Sequence, residues 1–120
     1  MHEFSICQTI IQDVLDELKK IQPKPARLTK VRIVVGKSHQ MVQDNLLLAY
    51  DVLSKDTPAE GSSLEIKLVP IIGRCKSCGW NGEIQNSMYV CGACGMSDID
   101  VIEGKELYLD SMEVEKHDNS

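Results

Sequence analysis

With 120 residues and 42% hydrophobic content, the chain can bury one modest core and carry one small metal-stapled appendage, which excludes two independent large domains. A formal charge of −5 and a pI near 5.1 argue against a phosphate-backbone binder, which normally shows a basic patch or stripe, and point to proteins or cations as partners. The opening MHEFSICQTIIQDVLDELKK has no basic leader region or small-residue cleavage site, and no apolar run approaches the ~20 residues that span a bilayer, so a cytoplasmic protein with no membrane contact is expected.

Residues 3 to 20 place Phe4, Cys7, Ile11, Val14 and Leu18 at three- and four-residue steps, with Ile10 and Leu15 widening the stripe. This spacing predicts an amphipathic helix that Pro23 and Pro25 terminate. Cys7 falls on its apolar stripe and reads as a small buried hydrophobe. LTKVRIVVG, 28 to 36, is rich in β-branched residues and reads as a buried strand ending at Gly36. A second helix presents Leu46, Leu47, Ala49, Tyr50 and Leu53 on its apolar side and stops in SKDTPAEG, 54 to 61. SSLEIKLVP then alternates Leu64, Ile66 and Leu68 with Glu65 and Lys67, the period of a strand with one wet face.

A cysteine-rich segment follows, and ELYLDSMEVE, 106 to 115, resumes strand character. Its apolar residues change phase between Leu107 and Leu109 and then Met112 and Val114, which predicts a bulge near Asp110 and Ser111 or a strand covered on both faces. The expected fold class is α+β: a three-stranded sheet with two helices, built from residues 1–70 and 103–116, interrupted by a metal-binding module at 71–102 and followed by a frayed tail at 117–120.

Cys75-Lys-Ser-Cys78-Gly and Cys91-Gly-Ala-Cys94-Gly are two C-x-x-C-G turns separated by twelve residues. Two residues between paired cysteines let both sulfurs face one ion, and Gly79 or Gly95 permits the positive φ that turns the chain toward it. In a reducing compartment these are metal ligands rather than disulfides. Four thiolates close a tetrahedron with no position left for substrate, so Cys75, Cys78, Cys91 and Cys94 are expected to hold a structural zinc; iron in the same cage satisfies the ligands equally. Trp80 and Tyr89 are expected to cover the core of this module rather than to stack bases. Between 71 and 102 the cations are Arg74 and Lys76, set against Glu83, Asp98 and Asp100, a balance that repels nucleic acid.

At the very start, the Met1 α-amine lies one residue from the His2 imidazole. Amine, backbone amide nitrogens and ring nitrogen can form fused chelate rings around Ni²⁺ or Cu²⁺. MHEFSICQTIIQDVLDEL, VRIVVG with LLLAYDVL, the CxxCG pair and the closing GKELYLDSMEVE together resemble, in order and spacing, the HypA/HybF family of hydrogenase maturation proteins over nearly the whole chain. The resemblance implies a nickel metallochaperone with an α+β nickel-binding domain and a zinc-ribbon-like domain. It also implies nickel bound at the N-terminus through Met1 and His2 with Glu3 contributing, and delivery with a HypB-like GTPase to the large subunit of NiFe hydrogenase.

The sequence departs from the family at 37 to 44, where Lys-Ser-His-Gln-Met-Val-Gln-Asp replaces a Leu-Ser-Gly-Val-containing stretch. Val42 stands where some members carry a carboxylate near the nickel site, so any such contact is missing or supplied by Asp44 or His39, and His39, a loop residue, reads as solvated. No Ser-His-Asp set, H-E-x-x-H or phosphate-binding glycine loop is present, so an enzyme is not expected. The competing function is a zinc-ribbon adaptor for protein interaction without its own nickel site. A monomer or weak homodimer is expected.

Overall fold

A computed structural model describes residues 2–85 and 89–117, with side chains from Glu3 onward. Helix α1 (His2–Lys20) leads into strand β1 (Arg27–Gly36), a 3₁₀ turn (Lys37–His39), helix α2 (Gln43–Ser54) and strand β2 (Ser63–Val69). Three short strands follow, β3 (Ile72–Cys75), β4 (Asn81–Glu83) and β5 (Ile99–Glu103), before β6 (Leu107–Glu115). The strands form two three-stranded sheets, β2-β1-β6 and β4-β3-β5. The α+β expectation, a three-stranded sheet and two helices with an inserted small module, therefore describes the fold. The second sheet is an addition, since its strands of three to five residues are too short to show a period in the sequence.

Contacts divide the chain into two compact units: Met1–Ile33, Met41–Lys67 and Tyr108–Ser120 in the first, Val34–Gln40 and Leu68–Leu107 in the second. In the first unit, Ile6, Cys7, Ile10, Ile11 and Val14 of α1 are buried, and so are Leu46, Ala49 and Tyr50 of α2. Each fully buried aliphatic side chain contributes roughly 1.5–3 kcal/mol, so this helical face is a main source of the unit's stability. The predicted stripe is right in the middle and shifted at its start. Phe4 remains 36% exposed while Ile6 is buried, because Ile6, Ile10 and Val14 stack at four-residue steps along the inward face. On α2, Leu47 is 37% exposed, Leu48 64% and Val52 51%, so the helix is apolar on more than its packed side.

The polar residues of this core have partners. The Tyr50 hydroxyl lies 2.7 Å from Ser62 Oγ, and Ser62 Oγ donates to the Ala59 carbonyl. Arg32 bridges Glu65 and Glu113 across the wet face of the sheet. Along β6 the half-buried positions change phase at Ser111 and Met112, as the apolar pattern predicts.

In the second unit the backbone approaches itself closely. Gly36 N–H donates to the Glu106 carbonyl (2.7 Å), and Ser38 N–H and Oγ both donate to the Gly104 carbonyl (3.0 and 2.5 Å). A Cβ on Gly36 would lie 1.9 Å from the Gly104 oxygen, so the sequence reading of Gly36 as a mere strand end understates it. Strand β3 pairs antiparallel with both β4 and β5, with a register irregularity between Ile72 and Gly73. Ile71, Ile84, Cys75 and Cys91 are buried in this unit. Trp80 lies against Gly82 and Gly92, where added Cβ atoms would fall 2.3 and 2.7 Å from its ring. Among the described residues, no helix is long and apolar enough to cross a membrane.

Candidate metal centre

The two C-x-x-C-G segments fold alike because each solves the same backbone problem. Gly79 N–H donates to the Cys75 carbonyl (2.9 Å) and Gly95 N–H to the Cys91 carbonyl (3.1 Å), each closing a turn that needs a positive φ, +82° at Gly79 and +77° at Gly95. Each first cysteine is also tied by its own N–H, Cys75 to the Trp80 carbonyl and Cys91 to the Met96 carbonyl, both at 2.8 Å. Strand β3 delivers Cys75, and Lys76 N–H bonds the Asp98 carbonyl just before β5, holding the first turn against that segment.

These constraints bring four sulfurs to one point. Cys75 Sγ lies 3.7 Å from Cys94 Sγ and Cys78 Sγ 3.6 Å from Cys91 Sγ, and all four ligand atoms fall within 4.8 Å of one another. A tetrahedron with metal–sulfur bonds of about 2.3 Å has edges of roughly 3.8 Å, so the cluster already has the size of a Zn(Cys)₄ shell. The donor set therefore fits a zinc-type ion, with no side chain left over to hold a substrate.

The electrostatics single out Cys91 as the thiolate of the cluster. Burial opposes ionisation of Cys91, but the N–H groups of Cys94 and Ala93, 3.3 and 3.2 Å from its sulfur, together with the neighbouring thiols overcome this and bring its pKa down to about 6. Cys78 moves the other way, to about 12: a backbone hydrogen bond from Trp80 favours its thiolate, but shared hydrogen bonds with the other cysteines and burial outweigh it. Around the cluster, Lys76 is neutralised by Asp98 (3.9 Å) and Asp100 (3.3 Å), and Arg74 is turned onto Asn81 Oδ1 (3.3 Å). The two cations that a nucleic-acid reading would need are thus engaged within the module.

Among the described residues, this is the one group of three or more His, Cys, Asp or Glu able to hold an ion. Of the residues expected to bind nickel, Met1 and the His2 side chain lie outside the described residues. Glu3 is half-buried, and its Oε2 accepts the N–H of Val42 at 2.9 Å. Val42 is the N-cap position of α2 and offers no side-chain cap of its own, so a carboxylate 39 residues away takes part in capping that helix. No local sequence pattern announces such a contact. His39 Nε2 is 3.0 Å from the Lys105 carbonyl, a structural contact for a residue read as solvated. Asp44 sits exposed in the first turn of α2, where it complements the helix dipole. Cys7 is fully buried, and burial pushes its thiol up to about 11, which removes it from thiolate chemistry at neutral pH.

Comparison with known proteins agrees with this architecture over nearly its whole length. The family model described as "Hydrogenase/urease nickel incorporation, metallochaperone, hypA" matches residues 1–114. Hydrogenase maturation factor HypA of Dehalococcoides mccartyi (strain 195) is 31% identical over 120 residues, covering 100% of this chain and 99% of that protein. The protein of the same name from Nitrosospira multiformis is 36% identical over 114 residues, covering 95% and 97%. The solution structure of the Ni metallochaperone HypA from Helicobacter pylori shares the fold with a TM-score of 0.66 at 20% identity, covering 96% of this chain and 98% of that one. A full-length family match, the same fold, and a four-cysteine cage built by two matched turns lead to one assignment: the chain belongs to the HypA family of nickel-incorporation metallochaperones.

Proposed function

We propose that this protein binds Ni²⁺ through its free N-terminus and passes it to the large subunit of a NiFe hydrogenase, acting in the cytoplasm with a HypB-like GTPase, while a zinc ion in the Cys75, Cys78, Cys91 and Cys94 cage is purely structural. The family match from residue 1 onward carries the reading, because it includes the Met-His-Glu start. Nickel is the cargo and no bond of a substrate is made or broken, so the protein acts as a carrier rather than an enzyme.

The chemistry of the start supports this. The Met1 amine, the amide nitrogens and the His2 imidazole form fused chelate rings, and Glu3 adds a carboxylate from the first turn of α1. The first four N–H groups of a helix have no acceptor within it, so the amide nitrogens of residues 2 and 3 can ligate without breaking a helical hydrogen bond. Metal release is favoured by the same location, since a cation at a helix N-terminus works against the dipole.

The test is a nickel titration of three zinc-loaded proteins: the native chain, a chain with one residue added before Met1, and His2→Ala. Extension converts a basic amine into a poorly donating amide and should abolish nickel binding while zinc stays at about one equivalent. His2→Ala should do the same, and His117→Ala should be silent. Unaltered nickel affinity in both the extended chain and His2→Ala would refute the N-terminal site and make His39 with Asp44 the next candidate, whereas a native chain that binds zinc and no nickel would favour the zinc-ribbon adaptor.

A further inference from the structure

Where α1 ends and the chain runs into β1, the first unit carries a surface cavity of about 690 Å³ that the metal chemistry leaves unused. Its floor is apolar, formed by Leu15, Leu18, Ile21, Leu28 and Pro58, and its rim carries Lys19, Lys24 and Arg27. Among the described residues, no acidic side chain lines it. In a chain of net charge −5 that is a local inversion of sign.

The three cations are not equivalent. Arg27 is matched by Glu115 at 2.8 Å. Lys20, next along the helix, is matched by Glu17 at 3.3 Å. Lys19 and Lys24 form no ion pair among the described residues, so their charge is available to a visitor. An apolar floor under two uncompensated ammonium groups fits a ligand with apolar anchors flanked by carboxylates. Leu15 and Leu18 lie one helical turn apart, the spacing at which an amphipathic partner helix presents its own anchors. The cavity lies open at the surface of the unit, and charge complementarity decides between partner classes.

We propose that this groove is a docking site for an acidic amphipathic segment of a partner protein. The global negative charge does not defeat such docking. At physiological salt, repulsion is screened over about 8 Å, whereas a rim ion pair acts at about 3–4 Å. The negative chain instead selects for partners that meet it at this groove and disfavours contact elsewhere.

The test uses the full zinc-loaded chain, ¹⁵N-labelled, titrated with a blocked peptide of roughly 12 residues carrying leucine at helical spacing and glutamate elsewhere. Shifts should concentrate on the amides of residues 15 to 28. Lys19→Glu with Lys24→Glu, both surface changes whose folding is checked by thermal unfolding, should weaken the peptide about tenfold. Glu115→Gln, which releases Arg27, should tighten it about twofold. Equal binding of a peptide with lysine in place of glutamate, unchanged affinity in the rim double variant, or shifts centred away from the groove would each overturn the proposal. So would dodecanoate, a carboxylate on an apolar tail, filling the groove while the peptide fails to compete, since the site would then serve a small amphiphile.

Discussion

Gly36→Ala should be among the most damaging single-methyl additions to this protein. The new Cβ would sit 1.9 Å from the Gly104 oxygen, 2.1 Å from its carbonyl carbon and 2.6 Å from Lys105 N, all backbone atoms with no rotamer to escape into. Separating the segments to ordinary contact stretches the bonds that hold them, namely Gly36 N–H to Glu106 and the two Ser38 donors to Gly104. At about 1 kcal/mol net per hydrogen bond, three lost bonds cost about 3 kcal/mol, and alanine's lower unfolded-state entropy returns only about 0.4–1 kcal/mol. A net loss of about 2–3 kcal/mol is expected, read as a lower urea midpoint at unchanged slope in zinc-loaded protein. Gly61→Ala is the control: its φ is +85° but nothing lies within 4 Å of the added methyl, so it should lose only the conformational cost of about 1–2 kcal/mol. If Gly36→Ala costs less than Gly61→Ala, the close crossing is not what makes residue 36 a glycine.

Replacing Cys91 with Ala should abolish zinc binding and melt the β4-β3-β5 sheet, seen as loss of amide protection there, while the α1 and α2 amides stay protected. Zinc binding at pH 7 should release at least two protons, from Cys78 and Cys94, whose pKa values are both raised, while Cys91 near 6 contributes little; affinity should therefore fall as pH falls, measured calorimetrically in buffers of different ionisation enthalpy. Glu3→Ala should lower stability by about 1 kcal/mol through the lost cap, and Glu3→Gln, which keeps an acceptor oxygen, should restore most of it in thermal unfolding. Duplex DNA should not bind at low salt in a gel shift; binding that weakens steeply with added salt would contradict the engaged state of Arg74 and Lys76.

What the sequence makes legible is what periodicity and fixed spacing encode. Both helices, the three strands of the larger sheet and the phase change in β6 follow from the order of apolar residues, and the four-cysteine cluster follows from two spacings. The misses share a cause. Phe4 and Ile6 are equally apolar, and only the packing angle of α1 decides which turns inward. The capping of α2 by Glu3 spans 39 residues, and the Gly36 to Gly104 crossing spans 68; no local pattern records either. Strands as short as Asn81–Glu83 take their conformation from the pairing itself, which only the fold supplies.

The cage also has a direction. In each turn the first cysteine is buried and the second exposed, so Cys75 and Cys91 face inward while Cys78 and Cys94 look to solvent. Both short sulfur contacts join an inner to an outer cysteine, 75 with 94 and 78 with 91. A chelator approaching a bound ion from solvent would therefore meet the two outer sulfurs before the inner pair. Among the described residues, the entrance to a four-sulfur shell is thus its solvent-facing pair, and shielding those two sulfurs should lengthen the lifetime of a bound ion.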